Sequence, residues 1–350
     1  MPAAAFLHTV SAAAVFIGMI WNCSFLPRII PVKEPDESGS RYSMKKALTY
    51  LLKWGIIFII ASLLVFIIVR MMPSTPVDKW LDAYHLPHTE ENVAYLTEKM
   101  GLDKPLIVQY TSWILNFLKG DWGVSLVSGE DIRTRFIAKM PYSFSIGVAG
   151  ILLGAVSAFF LGFLAAVRRN GFVDRLTTSL TIFSQSVPMF IISIIIINFF
   201  GVRLKVAKFF TGDGKYAIIA AILITALYSM GGLSRVVRTA FREEMGKTYV
   251  TFMVSRGISP GKALLGHASK PVLASLVSAV ITRFAGVFGG STVLEFAFAI
   301  PGLSTMLVSA MDSRDYSILQ TYILVVIIWM FLVHLILNLV LLMIGARRQA

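Results

Sequence analysis

The sequence predicts an all-α membrane protein that crosses the bilayer several times, and three observations lead to this fold class. Of its 350 residues, 56% are hydrophobic and only 15% are charged, with a mean hydropathy of +0.75. Soluble domains average about 45–50% apolar and about 25% charged residues, so a soluble enzyme is disfavoured and a disordered chain is excluded. The apolar residues are also gathered into runs of about 20, the length that crosses a bilayer as a helix.

Six of these runs are predicted to be core transmembrane helices. They cover residues 51–69, 145–167, 176–200, 216–233, 272–294 and 318–344. A further apolar segment, residues 3–21, is a poor signal peptide because no Lys or Arg precedes it. The extension formed by residues 1–43 therefore has two interpretations: it supplies a seventh span, or it is dispensable. The second follows from Met44, because two lysines and the first span come directly after it, as at a natural start.

The loops differ in length and in charge. The first external loop, residues 71–140, is predicted to fold outside the membrane, with two short amphipathic helices that stop at Gly101 and Gly120. Cytoplasmic loops are enriched in Lys and Arg, and this excess occurs before the first span, after the second and fourth spans, and at the C-terminus. Both termini are therefore predicted to be cytoplasmic in a cell membrane. The net charge of +13 is a signal of topology, and no nucleic acid is expected as a partner.

The loop between the fourth and fifth spans, residues 235–270, is too long and too regular for a simple connector. Its pattern predicts a helix over residues 247–256, a break at 257–260 and a second helix over 261–269. The apolar residues at helical spacing in the first helix are Tyr249, Phe252 and Met253. Such a face in water either contacts a partner protein or lies in the lipid headgroups, and the pattern alone favours neither.

Three segments of the chain carry distinctive motifs. They are GLDKPLIVQYTSWILNFLKGDWGVSL at 101–126, YVTFMVSRGISPGKALLGHASKPVL at 249–273 and GGSTVLEFAFAIPGLSTMLVSAMDSRDYSILQ at 289–320. In this order they resemble the first external loop, the cytoplasmic coupling loop and the fifth-span exit of the oligopeptide/dipeptide/nickel permease family of ATP-binding-cassette (ABC) importers. The resemblance extends from about residue 44 to residue 344.

The resemblance implies that the 235–270 loop couples the chain to an ATPase. Gly257 would be the glycine of the coupling loop, allowing a tight turn that a Cβ would obstruct, and Phe252 and Met253 would fill a groove on the ATPase. The residues implied to take part in coupling are Tyr249, Thr251, Phe252, Met253, Gly257, Ile258, Ser259 and Pro260. The segment Thr251-Phe252-Met253 departs from the family pattern, because many members carry small residues there.

The resemblance also implies a domain plan and a set of partners. Residues 44–70 would be the first transmembrane helix, 71–140 a cap or docking surface, and 141–345 the permease core. The chain would form half of the pathway for oligopeptides or dipeptides, with nickel or a metal chelate as the alternative substrate. Its partners would be a second homologous permease subunit, two cytoplasmic ABC ATPase subunits, an extracytoplasmic substrate-binding protein and the lipid bilayer.

No catalytic group is expected in the chain itself. The sequence GKT at 246–248 looks like the end of a P-loop, but Phe241 stands where the first glycine of that motif is required. ATP is therefore expected to be bound by the partner subunits, and the chain is expected to bind no cofactor and no metal. His85 and His88 are interpreted as surface histidines, because H-x-x-H with an intervening proline is a weak metal signal.

Two charged residues near the predicted fifth span are candidates for the translocation pathway. Arg283 falls in the middle of that span, where inserting a charge costs about 2.5–3.5 kcal/mol. It either contacts an anionic group, such as a peptide carboxylate, or pairs with a polar neighbour on another span. Glu295 either lines the pathway or ties the span exit to a backbone amide or a cation. Pro188 is expected to kink the third span.

A secondary transporter is the rival interpretation from another functional class. Such a protein would require inverted repeats and intramembrane acids for ion coupling. Neither feature is evident in the sequence.

Overall fold

The computed structural model describes residues 39–72, 75–210, 214–284 and 286–343, and these residues form helices joined by turns. Numbered along the chain, the helices are α1 (Gly39–Arg70), α2 (Pro76–Ala83), α3 (Glu90–Lys99), α4 (Leu106–Leu118), α5 (Ile132–Phe144), α6 (Gly150–Val167), α7 (Phe172–Ser186), α8 (Met189–Ile196), α9 (Lys215–Met245), α10 (Thr248–Ser255), α11 (Pro260–Ala263), α12 (Ser269–Phe284), α13 (Val287–Gly290), α14 (Thr292–Ala297), α15 (Leu303–Asp312) and α16 (Tyr316–Met343). Short π-helical segments follow α5, α8 and α11 at Ser145–Ala149, Ile197–Arg203 and Leu264–Ala268.

The all-α, polytopic membrane fold is confirmed. Among the described residues, four helical runs are long and apolar enough to cross a membrane: Ile132–Val167, Lys215–Met245, Pro260–Phe284 and Tyr316–Ile336. The pair Phe172–Ser186 and Met189–Arg203 qualifies together as a fifth span. The first predicted span, 51–69, lies in α1, whose described apolar stretch is shorter than a span.

The chain divides into two compact units, residues 1–61 with 348–350 and residues 62–347. Of the first unit, the structure describes the part of α1 from residue 39 onward. The second unit holds the outer end of α1 and all the later helices. The predicted seventh span at 3–21 lies outside the described residues, as does most of the 1–43 extension.

The third predicted span is broken rather than merely kinked. α7 and α8 meet at an angle of 98°, and Val187 takes an extended conformation, as a residue before proline prefers. The carbonyl of Val187 accepts a 2.6 Å hydrogen bond from the Tyr228 hydroxyl of α9. Pro188 therefore ends one helix and begins another, and α9 supplies a donor at the break.

The second predicted span begins earlier than expected. Residues 132–167 form one helical run, whereas the sequence predicted a span over 145–167. Pro141 lies inside α5 without ending it. The helix continues through the wider π-helical segment that follows, where the Ser145 hydroxyl donates to the Pro141 carbonyl at 2.6 Å. The run begins at Ile132 because the Asp131 side chain caps it, accepting a 2.7 Å hydrogen bond from the Thr134 amide.

α9 is longer than the fourth predicted span, which ended at residue 233. Its 31 residues extend about 46 Å, whereas a bilayer core is about 30 Å thick, so part of α9 lies beyond the core. The sequence prediction assigned its last turns to the loop because they carry several charges. They stay helical because Val237 and Phe241 are buried and because Arg238 and Arg242 bind Asp174 of α7.

The fifth predicted span, 272–294, begins too late. α11, its π-helical segment and α12 form one run, Pro260–Phe284. The second helix predicted at 261–269 is therefore the start of the span itself. Pro260 occupies the first helical position, where its missing N–H removes no helical hydrogen bond.

The same predicted span also ends too late. α12 ends at Phe284, and α13 and α14 follow as separate short helices. Glycines at 286, 289 and 290 weaken a helix here, and the buried Glu295 binds the first backbone amides of α15. Arg283, predicted to lie in mid-span, is in the last turn of α12.

α6 and α9 pack closely at the centre of the fold. Gly150, Gly154 and Gly162 of α6 lie directly against α9, where a Cβ on any of them would overlap α9 atoms. Small residues therefore decide how closely the two helices approach. The buried core continues from this seam to Val250 of α10 and Leu264 after α11, so that the predicted coupling segment is built on the membrane helices.

The external loop contains the two predicted helices, α3 and α4, and both glycine stops are confirmed. Gly101 and Gly120 have φ values of +65° and +89°, a backbone conformation that favours glycine. The outer end of α1 is held against α4. Nη2 of Arg70 donates to Oε1 of Gln109 at 2.5 Å.

Candidate functional site

Glu244 holds together the junction between α9 and α10. This nearly buried carboxylate accepts hydrogen bonds of 2.5 Å from the Tyr249 hydroxyl and from the Lys247 ammonium group. The helix dipole disfavours an acid at the C-terminus of α9, and these two donors offset that effect. Partial burial, and then the hydrogen bond to Glu244, raise the pKa of Tyr249 to about 12, so its hydroxyl keeps its proton at neutral pH.

Glu244 was absent from the predicted site. A signal for it exists in the sequence, since a Lys and a Tyr follow the acid at three and five residues' distance, and the acid stands where a helix ends. The predicted helix over 247–256 is confirmed as α10, and the predicted break follows it. The structure therefore adds the group that anchors the start of α10.

The two faces of α10 have opposite environments. Val250 is 1% exposed and belongs to the core beneath α10, and Met253 packs against the same core. Phe252 points outward and is 60% exposed, with the Arg256 guanidinium over its ring at 5.7 Å from the centroid. Of the two side chains predicted to fill a partner's groove, Phe252 is free to do so, whereas Met253 is partly committed to the chain's own core.

Gly257 ends α10 in a Schellman motif. The Ile258 amide donates to the Met253 carbonyl at 3.2 Å, and the Gly257 amide donates to the Val254 carbonyl at 2.9 Å. Gly257 has a φ of +84°, and no described residue lies within 4 Å of the position a Cβ would take. The expected tight turn at Gly257 is present, and a Cβ would disfavour it through the backbone conformation rather than through a clash with a neighbouring residue.

Asp174 links the extension of α9 to α7. Its carboxylate accepts hydrogen bonds from Arg238 at 2.7 Å, from Arg242 at 2.8 Å and from the Asn170 amide at 2.9 Å. All three donors converge on a side chain that is buried at the beginning of α7. The end of α9 that leads into α10 is thus connected to α7 through ionic hydrogen bonds.

The two predicted pathway residues are not brought together. Glu295 is fully buried, and its carboxylate accepts hydrogen bonds from four groups. These are the hydroxyls of Ser143 and Ser291 and the backbone amides of Ser304 and Thr305. Arg283 is half-buried, and its guanidinium lies against Gly232 of α9.

Residues 158–349 match the family model described as a binding-protein-dependent transport system inner membrane component. The chain belongs to this family. It is a non-catalytic, pore-forming permease subunit of an ABC importer, a multi-pass membrane protein that works with an ATPase and a substrate-binding protein. The residues predicted to take part in coupling, 249–260, and also Arg283 and Glu295 lie within the matched residues.

Several curated permeases are similar to this one along most of their length. A dipeptide transport system permease protein of Bacillus subtilis is 28% identical over 292 residues, which cover 79% of this chain and 90% of that protein. A glutathione transport system permease protein of Salmonella typhimurium is 28% identical over 300 residues, 83% and 95% of the two chains. A metal-staphylopine import system permease protein of Staphylococcus aureus is 27% identical over 273 residues, 77% and 87%.

Two of the sequence motifs of the permease meet at the start of α16. The buried Asp315 accepts a 2.5 Å hydrogen bond from the Ser125 hydroxyl of the external loop. The Thr321 hydroxyl donates to the Trp122 carbonyl at 3.4 Å. The 71–140 loop is therefore packed against the start of α16 through side-chain hydrogen bonds.

The histidines of the external loop lie at its surface. His88 is 3.0 Å from Asp82, and both side chains are largely exposed. Within the described ranges, no group of three or more His, Cys, Asp or Glu side chains is arranged to hold a metal ion.

Proposed function

We propose that the permease forms half of the translocation pathway for oligopeptides or dipeptides and that α10 docks a cytoplasmic ABC ATPase. The docking proposal rests on the orientation of α10. Val250 is buried in the core and anchors one face of the helix, whereas Phe252 is exposed on the opposite face. An exposed aromatic side chain on a well-anchored helix suits a partner's groove. The residues proposed to take part are Tyr249, Thr251, Phe252, Met253, Gly257, Ile258, Ser259 and Pro260.

Movement of the ATPase would reach the membrane through the bonds that surround α10. Glu244 ties α10 to α9, and Asp174 ties α9 to α7. Closure of the ATPase dimer would then tilt these helices between outward-open and inward-open states as a connected body. A flexible linker in the place of these bonds would absorb the movement instead.

The proposed complex contains this permease, a second homologous permease, two ATPase subunits and an extracytoplasmic binding protein. ATP would be bound by the ATPase subunits. In support, Phe241 is buried inside α9 and residues 246–248 lie at the start of a helix with no strand before them, unlike a P-loop. The α10 side and both termini would face the cytoplasm, and the 71–140 loop would cap the pathway outside and dock the binding protein.

Peptides are the proposed substrate class. Two of the relatives reported above are named as permeases for dipeptides and for glutathione, itself a short peptide. Similarity to the metal-staphylopine permease supports a metal chelate as the second candidate substrate. Arg283 is proposed to face the pathway, and Glu295 to support its wall from a buried position.

The docking proposal is tested by crosslinking in the assembled complex. The single natural cysteine, Cys23, is first replaced by serine, and Phe252→Cys is compared with Tyr95→Cys, which puts a cysteine at an equally exposed position in the external loop. We expect the cysteine at position 252 to crosslink to the ATPase and the one at position 95 not to. In addition, Phe252→Arg should abolish ATP-coupled uptake, and unchanged uptake in that variant would rule out the docking role.

The substrate class is tested by uptake into vesicles that contain the whole importer. ATP-dependent accumulation of labelled di- to pentapeptides is compared with that of nickel and of a nickel chelate. Peptide accumulation that stops without ATP supports the proposal. If nickel or its chelate accumulates and the peptides do not, the substrate class is a metal or metal chelate instead of peptides.

A further inference from the structure

A cleft of about 320 Å³ lies between α9 and α12, and nothing in the docking role of α10 uses it. Its lining residues are Arg235, Val236, Thr239, Ala240, Glu243 and Ser275. Val236, Thr239 and Glu243 follow Gly232 at spacings of four, seven and eleven residues, so these four share one face of α9. We call this face, together with the Ser275 side of α12, the α9–α12 groove.

Arg283 lies beyond the Arg235 end of the cleft, beside the next turn of the same α9 face. Its guanidinium lies against Gly232, about one helical turn before Arg235 on α9. A Cβ at Gly232 would collide with Nη2 of Arg283. The contacts of α12 show that it runs antiparallel to α9. Ser275 lies beside residues 235–243 of α9, whereas Arg283, later in α12, lies beside the earlier Gly232. The absence of a side chain at Gly232 therefore makes room for a cation at this point.

The charges of the groove are not neutralised by any side chain in the part of the chain that the structure describes. The side chains of Arg235, Glu243 and Arg283 make no hydrogen bond and no ion pair with any residue that the structure describes. Arg238 and Arg242 lie on the same helix and do find a partner, Asp174. The groove is thus positive at the end formed by Arg235 and Arg283 and negative at the Glu243 end, which is nearer to α10. Val236, Thr239 and Ala240 lie between the two ends.

The spacing of these charges matches a short peptide. Glu243 lies eight positions after Arg235 and eleven positions after Gly232 on α9, which correspond to about 12 and about 16 Å along the helix. An extended peptide covers about 3.3–3.6 Å per residue. The two ends of the groove are therefore as far apart as the termini of a peptide of roughly three to five residues.

We propose that the α9–α12 groove is a subsite for short peptides with two free termini. Arg283 and Arg235 bind the C-terminal carboxylate, and Glu243 binds the N-terminal ammonium group. Charge-assisted hydrogen bonds give both ends specificity, while the three uncharged residues between them accept different side chains. The inference rests on the proposed import of peptides and adds the place in the permease where their termini are recognised.

The test uses the complete importer, with its binding protein, in vesicles. The KM of ATP-driven uptake is measured for a tripeptide, for its C-terminal amide and for its N-acetylated form, in the wild type and in Arg283→Gln, Arg235→Gln and Glu243→Gln variants. Arg169→Gln is the matched control, because Arg169 is exposed in the turn before α7. Since the binding protein is the same throughout, its own preference cancels in each variant-to-wild-type ratio.

We expect Arg283→Gln to raise the KM for the free tripeptide roughly tenfold, the loss of one ionic contact, and to change the KM for the amide little. Glu243→Gln should raise the KM for the free tripeptide and the amide but not for the acetylated form. Arg283→Lys, which keeps the charge, should recover part of the loss, and the ATPase rate of each complex checks assembly.

Other results would overturn the inference in distinguishable ways. If Arg283→Gln and Glu243→Gln affect all three peptides equally, the groove does not recognise termini, although peptide import stands. If the assembled wild type takes up none of the peptides, both the groove and the proposed substrate class are wrong.

Discussion

The hydroxyl of Tyr249 donates a 2.5 Å hydrogen bond to the carboxylate of Glu244, five residues earlier in the chain. This bond closes the sharp turn between α9, which crosses the membrane, and α10, on which Phe252 is exposed. This contact therefore helps to position the proposed docking face, together with the Lys247 bond to Glu244 and the buried Val250.

Tyr249→Phe should weaken coupling without unfolding the permease. The variant keeps the ring but leaves Glu244 with one donor fewer, and a hydrogen bond to a charged group contributes about 1.5–3 kcal/mol. We expect faster amide hydrogen exchange in α10 and several-fold lower peptide-stimulated ATPase activity in the complex. Tyr95→Phe, at an exposed position in α3, is the control, and equal behaviour of the two variants would show that the bond is dispensable.

The pKa of Tyr249 gives a prediction for alkaline pH. Because the folded protein holds this pKa at about 12, above the ordinary value of about 10, folding favours the protonated hydroxyl. The resulting contribution to stability is complete below pH 10 and is lost as the pH rises through 12. The difference in tyrosinate absorbance between the wild type and Tyr249→Phe should titrate near pH 12, and titration near 10 would contradict the contact.

Gly257→Ala should strain the end of α10 although there is space for the methyl group. A residue with a Cβ costs roughly 1–2 kcal/mol at a positive φ, so we expect lower thermal stability of the coupling segment and weaker association with the ATPase. Gly257→Asn should be milder, since Asn tolerates this conformation. Gly266→Ala is the control, because Gly266 also has open space but no positive φ; an equal effect of both alanine substitutions would refute the role of φ.

Asp174→Asn should loosen the connection between α7 and α9. It leaves Arg238 and Arg242 without their anion, and breaking a buried ionic contact costs about 3 kcal/mol or more. We expect reduced stability of the isolated permease in detergent and loss of transport before loss of membrane insertion. Asp312→Asn, which removes an exposed acid, should do neither, and a stable, active Asp174→Asn permease would remove Asp174 from the proposed path of movement.

Parts of the fold that depend on local sequence were predicted well. The glycines that stop α3 and α4, the helix α10 and the break after it all follow from the conformational freedom of glycine and from apolar spacing within about ten residues. The helix ends were predicted less well. Pro141 did not end a helix, α9 continued to Met245, and α12 stopped at Phe284.

The candidate site divides in the same way. The exposed Phe252 and the turn at Gly257 were accessible from the pattern of one segment. Glu244 was missed because its importance lies in a contact formed only when α10 folds back. The groove charges were missed as a set because Arg283 comes close to Gly232, 51 positions away in the chain, only when α9 and α12 pack together.

The sequence by itself determined that this protein is an all-α membrane permease, because hydropathy, glycine stops and family motifs are properties of short segments. The tertiary structure decided where the helices end and which charges remain unpaired. Asp174 stabilises the last turns of α9, and Glu295 joins the segment after α12 to α5 by accepting a hydrogen bond from the Ser143 hydroxyl. Each of these effects depends on a partner from a distant segment, so its free energy appears only once the helices have assembled.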